Sequence, residues 1–89
     1  MSEEKEPMVS IEFIYSDTCP DCPPARNTVE RVTEDMEDVK VNYHRAKDVP
    51  EMVDEYDITH VPTIIVDEEV AFVEQVKDKE LKESIEEKL

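Results

Sequence analysis

The octapeptide Tyr15-Ser16-Asp17-Thr18-Cys19-Pro20-Asp21-Cys22 lies where the apolar pattern of the sequence changes its period. Before it, apolar residues alternate with period two over residues 8–15, which predicts an interior strand. After it, apolar residues recur at helical spacing over residues 25 to about 38, which predicts a helix. The two cysteines of the chain therefore lie at a strand-to-helix junction.

Cysteines three residues apart around a first helical turn can form a disulfide. A thiolate at a helix start is also stabilised by unpaired N–H groups and the positive end of the dipole. These features predict Cys19 as the exposed nucleophile and Cys22, one turn inside the helix, as the resolving thiol. Pro20 suits the first helical position, and the pair Pro23 and Pro24 is expected to distort the first turns.

The remaining chain predicts a second strand, a short helix, a hairpin and a final helix. Asp48 and Glu51 have the spacing of a capping box for the short helix, and Asp57 is expected to end it in a left-handed conformation. Asp78 is expected to cap the last helix, which presents Leu81, Ile85 and Leu89 on one face. The predicted elements cover residues 39–45, 48–57, 64–66, 70–73 and 78–89, with a three-residue hairpin connection.

The order is βαβαββα, an α/β fold with a mixed four-stranded sheet flanked by three helices. With this order, the octapeptide and the segment Tyr56-Asp-Ile-Thr-His-Val-Pro-Thr-Ile-Ile-Val66, the chain resembles small members of the thioredoxin/glutaredoxin superfamily. The resemblance implies that Pro62 is cis and faces the cysteines, and that Val61 pairs its backbone with the substrate. In that geometry His60 borders the substrate, either as a contact or as a bystander. Thr18 is a further candidate contact, and Tyr15, which ends the first strand close to the sulfurs, either packs in the core or contacts the substrate at the rim.

The predicted function is a dithiol-disulfide oxidoreductase that reduces protein disulfides through Cys19 and Cys22, with no cofactor besides that redox-active disulfide and no metal. Pro20 and Asp21, the two residues between the cysteines, are predicted to tune the redox potential of the pair. The Asp21 carboxylate disfavours thiolates, which lowers the potential to about −270 mV or below. Two alternatives from other classes are a thiol-based metal carrier and a redox-sensing binding module without turnover. Within the enzyme class, the alternative is a glutathione-dependent glutaredoxin.

The resemblance implies a flavin-dependent thioredoxin reductase as the electron donor. Glutathione is disfavoured as the donor, because Glu74-Gln75 stands where glutaredoxins have a glycine pair. Glutathione is also an anion, which a protein of net charge −15 repels.

Length and charge limit the other possibilities. The 89 residues suffice for one thioredoxin-like domain over residues 8–89, preceded by an acidic stub over residues 1–7 that is expected to be disordered. A net charge of −15 opposes binding to nucleic acid and to anionic membranes. The absence of an export signal leads us to expect the protein in the cytoplasm. We also expect it to be a monomer.

Overall fold

The fold is known from a computed structural model, which describes residues 9–88. Its order is βαβαββα, as predicted, with one short 3₁₀ turn at Ala46–Asp48. The strands are β1 (Val9–Tyr15), β2 (Val39–Arg45), β3 (Thr63–Val66) and β4 (Glu69–Val73). The helices are α1 (Cys22–Thr33), α2 (Pro50–Glu55) and α3 (Asp78–Lys88). The predicted acidic stub lies outside the described residues.

The four strands form one mixed sheet in the order β2-β1-β3-β4. The pair β1 and β2 is parallel, in the register Ile11 to Val41. The pairs β1 with β3 and β3 with β4 are antiparallel, and Ile11 lies opposite Val66. Since β1 is hydrogen-bonded on both sides, the strand that leads to the cysteines is a central one.

The main core lies between one face of the sheet and the helices α1 and α3. Alternate residues of β1 are buried there, together with Val29 of α1 and Leu81 and Ile85 of α3. The predicted apolar face of α3 is thus confirmed for these two residues, and Leu89 lies outside the described residues. Ile14 and Ile65 are fully buried on the other face of the sheet. Burial on both faces explains why β1 reads as a nearly continuous apolar run.

Helix α1 begins at Cys22, three residues after Cys19. The prediction that Pro20 occupies the first helical position was therefore wrong, and so was the prediction that Cys22 lies one turn inside the helix. Pro20 lies in the turn before the helix, and Pro23 and Pro24 occupy its first turn. The first N–H groups of a helix have no partner within it, so two prolines cost little at this point. The helix runs without a break to Thr33, which is earlier than predicted.

The start of α2 differs from the prediction, whereas its end agrees. Val49 caps the helix without a side-chain hydrogen bond, so the predicted capping box is wrong. The 3₁₀ turn places Asp48 before the cap, and its carboxylate lies 3.7 Å from Arg45. Asp57 has a φ of 57°, as predicted, and the Ile58 N–H donates to the Val53 carbonyl at 2.9 Å. This is a Schellman C-cap in which aspartate replaces glycine.

The β3–β4 hairpin has a two-residue connection, because Glu69 already belongs to β4. Asp67 and Glu68 have φ values of 53° and 70°. Positive φ at both central residues is the type I′ turn, which matches the twist of the two strands. The predicted three-residue connection was wrong because no glycine marks the left-handed positions.

Asp78 was predicted to cap α3, and this was wrong because Asp78 is already the first residue of the helix. Its side chain makes an ion pair with α1 instead. Both of its carboxylate oxygens accept hydrogen bonds from Arg31 at 2.8 Å. These hydrogen bonds hold the pKa of Asp78 below its ordinary value. The pair joins the cysteine-bearing helix to the last helix of the fold.

Candidate active site

The two cysteines form a disulfide at the junction of β1 and α1. Their Cα atoms are 5.4 Å apart, within the range that a disulfide spans. Cys22 is 6% exposed and belongs to the core, whereas Cys19 is more open to solvent. Of the two sulfurs, that of Cys19 is therefore the more accessible to an incoming molecule.

The second half of the site is the segment that precedes β3. The Val61-Pro62 peptide bond is cis, as the resemblance implied. The Val61 carbonyl oxygen lies 3.5 Å from the sulfur of Cys19, although the two residues are far apart in sequence. On the other side, the Pro62 carbonyl accepts a hydrogen bond of 2.7 Å from the Glu74 N–H. The segment thus lies between the reactive sulfur and the end of β4.

The other residues predicted for the site lie on several elements around the two cysteines. Tyr15 ends β1 and packs against the core, and Thr18 is exposed in the turn before Cys19. His60 is exposed, and its Nε2 atom lies 3.6 Å from a carboxylate oxygen of Glu74. Asp21 is exposed and immediately precedes the helix, but its side chain makes no capping hydrogen bond. Its carboxylate is therefore a solvated charge beside the cysteines.

A cavity of about 280 Å³ opens beside the disulfide, with both cysteines in its lining. Tyr15 and Pro23 contribute further apolar surface, and Phe13 is buried beneath them with 1% of its surface exposed. This cavity was not predicted from the sequence, because it depends on how β1 and α1 come together.

Arg26 was also missed as a residue of the site. It lines the cavity, and its guanidinium carbon lies 4.5 Å from the centre of the Tyr43 ring. Burial raises the pKa of Tyr43, which keeps its hydroxyl neutral. A signal was present in the sequence, because Arg26 follows Cys22 by one helical turn and such residues share a helix face.

Metal-binding clusters and membrane-spanning helices are both absent from the part of the chain that the structure describes. Residues 9–88 contain no group of three or more histidine, cysteine or acidic side chains arranged to hold a metal ion. Within the same residues, no helix has the length and apolar character that a bilayer crossing requires.

The class of protein follows from three features: a mixed four-stranded sheet, a disulfide where a central strand meets a helix, and a proline segment against that disulfide. Together they are typical of thiol-disulfide exchange proteins. Residues 9–86 match the family described as the thioredoxin domain. The chain is also 38% identical over 82 residues to a thioredoxin of Methanocaldococcus jannaschii, an alignment that covers 91% of this chain and 96% of that one. This chain belongs to the thioredoxin family.

Solved structures show the same fold. A mutant thioredoxin from Halobacterium salinarum superposes with a TM-score of 0.78 at 24% identity, over 92% of this chain and 75% of the other. The N-terminal domain of the alkylhydroperoxide reductase AhpF from Enterococcus faecalis superposes with a TM-score of 0.77 at 26% identity. That match covers 90% of this chain and 39% of the AhpF chain. The family and the disulfide together support a thiol-disulfide oxidoreductase.

Proposed function

We propose that this protein reduces disulfides in client proteins, with Cys19 as the attacking residue and Cys22 as the resolving residue. The observation that carries the proposal is the joint placement of the more exposed Cys19 sulfur and the Val61 carbonyl, 3.5 Å apart. A client strand that pairs with the backbone of Val61 would bring its own disulfide to that sulfur. Pro62 supports this position from within the core.

The reaction has two exchange steps. The thiolate of reduced Cys19 attacks one sulfur of the client disulfide, which forms a mixed disulfide and releases the other client sulfur as a thiolate that takes up a proton. Cys22 then loses its proton to solvent, and its thiolate attacks the Cys19 sulfur. The Cys19–Cys22 disulfide forms, the client leaves as a dithiol, and two electrons have passed from the protein to the client.

The neighbouring residues have supporting roles in this proposal. Tyr15, Thr18 and His60 border the client, and Asp21 keeps a negative charge close to both sulfurs. Because that charge disfavours the thiolate, it favours the disulfide and makes the protein a stronger reductant.

The test is insulin reduction in the presence of dithiothreitol, combined with the two single serine variants. The wild type should turn over insulin, and both Cys19→Ser and Cys22→Ser should abolish turnover. In a separate incubation of the reduced variants with insulin, after removal of dithiothreitol, Cys22→Ser alone should accumulate a mixed disulfide with the client, because its attacking thiol is intact and no second thiol resolves the adduct. Mass spectrometry would detect this adduct. An adduct on Cys19→Ser instead would reverse the two roles, and two thiols that never pair would favour the metal carrier.

The electron donor we propose is a flavin-dependent thioredoxin reductase. Support comes from charge, since the protein carries a net charge of −15 and the Glu74 carboxylate lies near the proline segment. Both features repel an anionic thiol such as glutathione. Re-reduction can be followed with NADPH and a thioredoxin reductase in parallel with a glutathione-coupled assay. Faster re-reduction by glutathione would identify glutathione, and not a thioredoxin reductase, as the electron donor.

A further inference from the structure

The cavity beside the disulfide is apolar in its interior and open at the reactive sulfurs. Phe13 and Cys22 are almost fully buried, and Tyr15 and Pro23 add apolar surface above them. Its volume of about 280 Å³ is close to the lower end of ligand pockets, which measure roughly 300–1,000 Å³. The space therefore suits a single large side chain better than a cofactor.

The charged side chains at the rim are held in ion pairs. The Arg45 guanidinium binds the Asp17 carboxylate at 3.0 Å and lies 5.9 Å from the centre of the Tyr15 ring. Arg26 binds Glu30 at 3.2 Å. Because Asp17 is paired with a cation, the mouth of the cavity has no unbalanced carboxylate. It differs in this from the cavity on the other side of α1, which Asp21 and Glu74 line.

Aromatic rings form the wall against which an incoming side chain would pack. The Phe13 ring lies 6.4 Å from the Tyr15 ring and 5.6 Å from the Tyr43 ring, centre to centre. Aromatic pairs are favourable at centre distances of about 4.5–7 Å in tilted or offset arrangements. A further ring beside Tyr15 and Pro23 would extend this cluster and exclude water from the cavity.

We infer that this cavity is a specificity subsite, which accepts an aromatic or large aliphatic side chain adjacent to the reactive cysteine of the client. The inference rests on the proposed function, since a client sulfur attacked by Cys19 must lie at the edge of the cavity that Cys19 lines. A neighbouring side chain of the client is then within reach of the cavity, and its apolar burial strengthens binding in the exchange step.

The experiment uses short capped peptides joined as symmetric disulfide dimers, so that attack on either sulfur is equivalent. The residue beside the cysteine is Phe, Leu, Ala or Asp, placed before the cysteine in one series and after it in another. Stopped-flow measurements give the second-order rate constant for reduction by the reduced protein. Each value is divided by the rate constant with dithiothreitol, which removes differences in the intrinsic reactivity of the peptides.

In at least one series, the Phe peptide should react about tenfold faster than the Ala peptide, equivalent to about 1.4 kcal/mol. Leu should be intermediate and Asp slowest. Ser16 lines the cavity, so Ser16→Leu should fill part of it and bring the ratio of Phe to Ala close to one. Ser84→Leu makes the same substitution on α3, outside the cavity, and should leave the ratio unchanged.

The wild-type series alone can overturn the inference, even if Ser16→Leu does not fold. Equal rate constants for Phe and Ala in both series would show that the cavity does not select a side chain, while reduction of all peptides would leave the proposed function intact. A ratio that persists in folded Ser16→Leu would place the preference elsewhere. Failure to reduce both insulin and every peptide would instead contradict the proposed function itself.

Discussion

Replacing Glu68 with glycine is expected to stabilise the fold. Glu68 closes the β3–β4 hairpin with a φ of 70°, in the left-handed region. For a residue with a Cβ atom, the left-handed conformation raises the free energy of the folded state by about 1–2 kcal/mol, and glycine avoids this cost. Glycine also gives the unfolded chain more conformational freedom, and this entropy reduces the gain in stability by about 0.5–1 kcal/mol. The net increase in the free energy of unfolding should be about 0.5–1 kcal/mol, or about 2–8 °C in Tm for a domain of this size.

Two further variants separate backbone conformation from charge. Glu68→Gln removes a charge that lies between Asp67 and Glu69 but keeps the Cβ atom, so it should change the free energy of unfolding by less than the glycine variant. Glu83→Gly lies in the interior of α3 and should cost about 1 kcal/mol. All four proteins can be unfolded by urea and by heat at one salt concentration. The reasoning is refuted if Glu68→Gln stabilises as much as Glu68→Gly, or if Glu68→Gly gives no increase.

Three other outcomes are expected. Asp21→His should raise the redox potential by about 30 mV, because a cation beside the cysteines favours thiolates; equilibration with dithiothreitol buffers measures it, and an unchanged potential would contradict the role of the carboxylate. Arg31→Gln should lower the urea midpoint at pH 7. The ion pair lowers the pKa of Asp78 from its ordinary value of 3.8, so the pair stabilises the fold above that pH. The difference in urea midpoint between the wild type and Arg31→Gln should therefore shrink as the pH falls towards 2. Ile85→Ala should lower the free energy of unfolding, measured in urea, by about 2–5 kcal/mol. A smaller decrease would show that neighbouring core side chains relax into the cavity.

Sequence patterns predicted the elements of the fold because burial imposes a period on each of them. The alternation in β1 and the spacing of Leu81 and Ile85 follow directly from the core that they form. Boundaries were less predictable, since helix and turn ends depend on single residues. In a chain without glycine, Glu68 carries no signal of its left-handed conformation, and the hairpin connection was therefore predicted one residue too long.

The candidate site was predictable where its residues are neighbours in sequence. The cysteine pair is local, and the resemblance supplied Val61 and Pro62. The cavity was not predictable, because Tyr15 and Arg26 come together only when α1 packs against β1. The ion pair of Arg45 with Asp17 was missed for the same reason, since its partners lie on different elements.

The position of β1 in the sheet affects how the chain folds during synthesis. β1 is the first strand described, yet Ile11 pairs with Val66, and most of the chain lies between these partners. A ribosome therefore releases both cysteines well before β3 exists to complete the central pairing. Until then the nascent chain carries two accessible thiols beside an unpaired apolar strand, a combination that favours contacts with other chains. Early binding of a chaperone to this segment would protect both the thiols and the strand.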